Sequence, residues 1–464
     1  MAGSTRRDKR AERSAAKRPL DFALPEEAPS PYGQIAEACF AERIGPHGLT
    51  REEYEDTLAA TAPALERLKA AYADGSLPLL QLPEARADLA AIERHAERLS
   101  AGCDDLVLLG TGGSSLGGQA LAALAGERFG PFPGTPRLHF LDNIDPAHFE
   151  GLMGAVELRR TGFLAISKSG ATPETVAQLL LSFAAVRAAV GESEARHHFT
   201  VITEPGDNPM RQHAERFGIP VLDHDPGIGG RFSVLSLVGL LPARVVGVDI
   251  TAVREGASSV VRALNAAAQP ADLPPAVGAA IAIALQWRRR ITGTVIMPYV
   301  DRLALFGMWF RQLWAESLGK GGKGSTPARA LGTVDQHSQL QLYLDGPADK
   351  MFTLVVAAQE GKGRPIPADL AADPRLGYLA GRTLGDLLAA EQRATYDTLA
   401  AAGRPVRLLA LERVDERALG ALLMHYMLEV IIAADLLGVD PFDQPAVEDG
   451  KRRARAYLSE RGRR

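Results

Sequence analysis

Short, nearly continuous apolar runs, separated by helical patterns, constrain this chain most. Five of them, DDLVLLG, LHFLDN, GFLAIS, FTVIT and IPVLD, follow one another in the first half. Alternating polarity would mark strands with one wet face. Continuous runs mark parallel strands covered on both faces. Residues 76–250 therefore read as a doubly wound α/β domain. A second series follows. TGTVIMPYV, FTLVVA and VRLLALERV read as strands, and AAIAIALQWRRR, DRLALFGMWFRQLWAES and ALGALLMHYMLEVIIAADLLG as helices. Residues 251–440 then form a second α/β domain of similar size, which suggests an internal pseudo-duplication. With 464 residues the chain is too long for one ordinary core, so two domains are expected. Residues 21–75 read as a helical N-terminal segment. Its stretch LTREEYEDTLAATAPALERLKAAYADG spaces apolar residues three to four apart and stops at Gly75. Residues 1–20 are basic with nothing to bury, and read as a solvated tail. Residues 441–464 read as a C-terminal helix with cations near its negative pole. The Gly- and Lys-rich stretch 319–332 reads as a loop able to move.

Composition narrows the function. A net charge of -4 gives no general bias toward nucleic acid or membranes. No apolar run reaches the roughly 18 residues of a membrane helix. The start of the chain lacks the apolar stretch of a secretory signal. Two cysteines build no disulfide framework and no CxxC site, so a reducing, cytoplasmic setting is expected.

Two turns carry candidate chemistry. Gly110-Thr-Gly-Gly-Ser-Ser-Leu-Gly117 lies between a strand and a helix, where backbone N–H groups can approach an anion. A dinucleotide fingerprint needs glycine at 115, where Ser115 stands, and no Walker G-K-[ST] follows. Asp142, at the next strand's end, keeps a ribose-binding role open, and a ligand-free glycine turn is the bland alternative. The second turn is Ser167-Lys-Ser-Gly-Ala-Thr-Pro-Glu-Thr175, with Thr172 as N-cap and Pro173 as first helical residue. Its hydroxyls, ammonium and N–H groups suit a phosphate dianion. Alternatively, Thr172 merely caps and Lys168 is solvated. Arg231, Glu316, His337 and Lys451 are scattered, and each has a dull reading. Glu316 fits a surface helix charge, Arg231 a structural ion pair, His337 a helix start, and Lys451 a partner for Glu448. Spacing alone does not unite them.

Taken together, the motifs resemble the glucose-6-phosphate isomerase family over most of residues 75–455. G-x-G-G-S is Gly110 to Ser114, the phosphate loop is SKSGATPET, and G-G-R-x-S is Gly229 to Ser233. E-S-N-G-K appears as Glu316-Ser-Leu-Gly-Lys320, G-T-x-x-Q-H as Gly332 to His337, and F-D-Q-x-x-V-E-x-G-K as Phe442 to Lys451. Leu318, Ala171, and Val334 with Asp335 depart from the pattern without removing a reacting group. The resemblance implies two sugar-isomerase (SIS) domains and a homodimer in which His337 is donated across the interface. It also implies interconversion of glucose 6-phosphate and fructose 6-phosphate without metal or cofactor. On it, Ser114, Ser167, Lys168, Ser169 and Thr172 hold the phosphate, Gly113 binds substrate and Gln444 lines the site. Glu316 is the base, Arg231 the charge stabiliser, and His337 and Lys451 the ring-opening pair. A non-catalytic sugar-phosphate sensor, a dinucleotide enzyme and a dual glucose/mannose phosphate isomerase are the alternatives. A sensor would not need Glu316, His337, Arg231 and Lys451 together.

Overall fold

A computed structural model describes residues 31–126 and 134–461. The expected basic tail, residues 1–20, lies outside them. The first strand, β1 (Tyr32–Ile35), does not join the strands that follow it in sequence. Next come β2 (Asp105–Leu109), β3 (Arg137–Leu141), β4 (Thr161–Ile166), β5 (Phe199–Thr203) and β6 (Val221–Asp223). They form one sheet in the order β3-β2-β4-β5-β6, parallel throughout. Then β7 (Gly293–Pro298), β8 (Thr326–Arg329), β9 (Lys350–Ala357) and β10 (Val406–Leu411) form a parallel sheet of order β10-β9-β7-β8. β1 adds to it, antiparallel, beside β10.

The continuous apolar runs are explained by this topology. Every residue of β2, β4, β5 and β10 is buried, whereas the edge strands β3, β6 and β8 keep exposed or half-buried positions. Both sheets start the same way. The chain leaves β2 for β3 on one side, then crosses to β4 on the other. It likewise leaves β7 for β8, then crosses to β9. Each reversal opens a crevice at the carboxyl ends of the strands, where ligands bind in open α/β sheets.

Four sequence expectations need correction. Residues 441–464 are not helical throughout, since the C-terminal helix starts only at Glu448, after the short turn Pro445–Val447. Residues 21–75 are not helical throughout: β1 precedes the helices Arg51–Ala59 and Ala62–Asp74. Its four residues are too short for a periodic signal, and its partner β10 lies far along the chain. The stretch 319–332 is not loop throughout: Thr326–Arg329 is the edge strand β8, paired with β7. Finally, the helix Glu416–Leu437 is long and apolar enough to cross a membrane, contrary to the reading above. In this structure 83% of its most apolar stretch is buried inside the protein, as a core helix. It packs against the helix Ile250–Ala266 at very close range. A Cβ on Gly256 would lie 1.9 Å from the Arg417 carbonyl oxygen, and one on Gly420 equally close to that of Val253. Only glycine at both positions permits this approach.

A buried polar chain ties β1 to that core. Tyr32 Oη lies 2.6 Å from His425 Nδ1, and His425 Nε2 lies 2.8 Å from Glu429. Glu429 in turn accepts from Arg407 of β10 at 2.8 Å. Buried charges persist only when paired in this way.

Candidate active site

The glycine turn leaves β2 at the first reversal, and the hydroxyl-rich turn leaves the adjacent β4. A Cβ on Gly110 would come within 3.2 Å of the carbonyl oxygen of Ile166, the last residue of β4, so the two turns start side by side. Gly113 presses against a third stretch: its Cβ would lie 2.2 Å from the Gly230 carbonyl carbon. Ser233 fixes that stretch by donating to the Gly230 carbonyl at 2.7 Å. Arg231 is thereby set beside the glycine turn.

The hydroxyl turn is poised for an anion. Thr172 occupies the N-cap position of the helix Pro173–Val190 in extended conformation, yet its side chain does not cap. Its hydroxyl meets the Ser167 hydroxyl at 2.8 Å instead. The first-turn N–H groups thus lack a side-chain acceptor from the cap residue. The corresponding helix after β9, Leu384–Ala401, carries a complete capping box of Thr383 and Asp386. The Ser169 hydroxyl accepts from Ala171 N–H at 3.3 Å. Lys168 is engaged, donating to the Pro226 carbonyl at 2.8 Å and pairing with Glu204 at 3.3 Å. Asp142, the possible ribose acid, accepts from Gln119 at 2.8 Å.

Glu316 stands in the last turn of the helix Ala304–Leu318, with its side chain 34% exposed. Arg231, only 3% exposed, donates to it at 3.2 Å. The same guanidinium donates to Gln444 Oε1 at 2.8 Å, to Ser317 Oγ at 2.8 Å, and to the carbonyls of Pro441 and Asp443. Burial pushes the Arg231 pKa down, and the Glu316 carboxylate opposes that shift. A cation so fully ligated is rigid. It presents fixed positive charge next to a carboxylate that solvent and ligand can reach.

A model of the phosphoglucose isomerase family matches residues 73–346. The chain belongs to the phosphoglucose isomerase family. The glucose-6-phosphate isomerase of Rubrobacter xylanophilus is 40% identical over 89% of this chain and 96% of its own. A hypothetical protein from Thermus thermophilus is 36% identical, with a TM-score of 0.78 over 88% of this chain and 98% of its own. A glucose-6-phosphate isomerase from Chlamydia trachomatis, 22% identical, shares the fold at a TM-score of 0.73, covering 96% of this chain and 93% of its own.

Within this phosphoglucose isomerase family chain, the structure unites only part of the sequence-derived set. Arg231, Glu316 and Gln444 are hydrogen-bonded together. Gly113 and Ser114 lie in the glycine turn beside Gly230, with Ser167, Lys168, Ser169 and Thr172 on the neighbouring turn. Among the described residues, no hydrogen bond joins His337 or Lys451 to this cluster. His337 is exposed, after the short turn Val334–Gln336. Lys451 lies on the exposed helix Glu448–Arg461 and pairs with Glu448 at 2.7 Å, the bland reading of that residue.

Two residues were missed. Gln312 donates to Glu316 Oε1 at 3.1 Å, and its amide nitrogen would meet a Cβ on Gly112 at 2.9 Å, so it bridges the carboxylate and the glycine turn. Its place one helical turn before Glu316 was the available signal. Ser317 accepts from the buried Arg231, and its place in the Glu316–Lys320 motif was the available signal.

Proposed function

We propose that this family member interconverts glucose 6-phosphate and fructose 6-phosphate through a cis-enediol, as an aldose–ketose isomerase. One observation carries the reading: a half-buried carboxylate and a buried, fully ligated guanidinium meet at 3.2 Å beside the glycine turn, whose strand β2 adjoins the strand that leads into the phosphate-donor turn. In the proposed mechanism Ser114, Ser167, Lys168, Ser169 and Thr172 grip the phosphate. The phosphate takes no part in the chemistry; its binding energy fixes the reacting carbons. Glu316 removes the proton from C2 of the open aldose. Negative charge develops on the enediolate oxygens, and Arg231 stabilises it. Protonated Glu316 then returns the proton to C1 of the enediolate while the hydroxyl proton passes from O2 to O1, which gives the ketose. Hydrogen moves only as a proton, so the balance requires no redox partner.

The substrates rest mainly as closed rings. Ring opening is assigned to His337 and Lys451, with His337 supplied by the second subunit of a homodimer. Gln444 completes the site wall. The cytoplasm is the proposed compartment, in keeping with the two free thiols, Cys39 and Cys103.

The direct test feeds fructose 6-phosphate to the purified protein, with glucose-6-phosphate dehydrogenase reporting the product. Steady NADPH formation is expected. A rate no greater than the enzyme-free blank overturns the assignment.

A further inference from the structure

Between the core helix, which ends at Leu437, and the short turn Pro445–Val447, residues 438–444 form neither helix nor strand. Yet this segment delivers Gln444 to Arg231 and leads into the helix that carries Lys451. An irregular backbone needs partners from outside itself. Three cations supply them. Arg231 donates to the carbonyls of Pro441 and Asp443. Lys323 donates to the Leu437 carbonyl at 2.6 Å, at the negative pole of the core helix. Lys320 donates to the Asp440 carbonyl and pairs with the Asp443 carboxylate at 2.8 Å.

Lys320 occupies a distinctive place. It lies four residues after Glu316, just beyond Gly319, which ends the helix carrying that carboxylate. Asp443 is consequently held at two points, its carbonyl by Arg231 and its carboxylate by Lys320. An exposed ion pair contributes little. This one is half exposed at Asp443, at 52%, but the Lys320 side chain is only 15% exposed and also satisfies a backbone carbonyl, so it is held from two sides.

We propose that Lys320, through Asp440 and Asp443, is a positioning strut that holds the Gln444-bearing segment against the end of the Glu316 helix. The inference rests on the reading of Glu316, Arg231 and Gln444 as the reacting cluster. Lys320 touches no substrate. It keeps the carbonyls that orient Arg231 at a fixed distance from Glu316, and a shift of about 1 Å in such a cluster costs on the order of a hundredfold in rate.

Two measurements on the full chain test this, with variants Lys320→Met, Lys320→Arg and Asp443→Asn. Lys320→Met should lower kcat about ten- to a hundredfold while KM moves by less than about twofold. Lys320→Arg should recover most of the loss. The double variant Lys320→Met/Asp443→Asn should be no worse than the poorer single one, since both remove one interaction. Amide hydrogen exchange, read without turnover, should quicken across residues 438–447 and stay unchanged in β2 and β4. An unchanged kcat, or quickened exchange throughout the protein with no rescue by arginine, overturns the strut. If wild type proved inactive, the isomerase reading would fall, while the exchange pattern would still judge the strut.

Discussion

Glu316 gains its proposed role from what surrounds it rather than from its own position. A glutamate in the last turn of a helix faces an unfavourable dipole and is usually a solvated charge. Here Arg231 and Gln312 each take one carboxylate oxygen, which fixes the group while leaving it 34% exposed. Glu316→Gln preserves volume and can still accept at its amide oxygen, but offers no proton acceptor of comparable basicity. Proton exchange between C1, C2 and solvent should fall by at least about a hundredfold, the lower range for a positioned base. Affinity for a non-reacting sugar phosphate should change little, because the phosphate turn is untouched. NMR of deuterium incorporation, with titration of such a ligand, checks both; exchange at the wild-type rate would remove Glu316 from the mechanism. At this scale legibility in the sequence was uneven. Ser167, Lys168 and Thr172 are adjacent in the chain, so their hydroxyls and ammonium announce a phosphate turn. Arg231 and Glu316 are far apart, and only the family resemblance joined them. Gln312 and Ser317 stand one turn before Glu316 and inside its motif, but their roles lie in contacts with Gly112 and Arg231 that position alone does not give.

Elements were legible where burial made them regular. β2, β4 and β10 read plainly as strands because both faces are covered. β1 and β8 did not, since each has four residues and an edge position, and β8 contains Pro327. The crossing of elements at the site depends on a still smaller feature. The glycine turn after β2 and the Gly229–Arg231 stretch meet backbone to backbone, with no space for a methyl group on Gly113. The clash at 2.2 Å involves a carbonyl carbon, which cannot rotate away as a side chain would. Gly113→Ala should therefore push the two turns apart, at a stability cost of about 1–3 kcal/mol. Arg231 moves with Gly230, so activity should suffer far more than folding. Urea unfolding and steady-state rates on the same preparation distinguish these effects. Near-normal kcat with a lowered unfolding midpoint would mean that the contact is purely structural.

At the scale of the whole molecule, one chain leaves the proposed site unfinished. His337 is exposed and unjoined to the Arg231–Glu316 cluster, and Val334 and Leu342 on either side of it in sequence are 62% and 51% exposed. Leu370, Tyr378 and Leu384 are likewise more than two-thirds exposed. Large apolar side chains left bare in this way favour a surface that another protein covers. The proposed homodimer would give them a partner and let His337 of one subunit reach the Glu316 of the other. The arrangement has an arithmetic signature. A Glu316→Gln dimer lacks the base in both sites, and a His337→Asn dimer lacks the ring-opening imidazole in both. In a mixed dimer, shared sites would place both substitutions in one site and leave the other wholly wild type. Random exchange makes half the dimers mixed, so activity on the closed-ring substrate should recover to about a quarter of the wild-type level. If His337 served its own subunit, every site in the mixture would carry one lesion and exchange would restore nothing. Refolding the two variants together, and assaying before and after, decides whether the histidine crosses the interface.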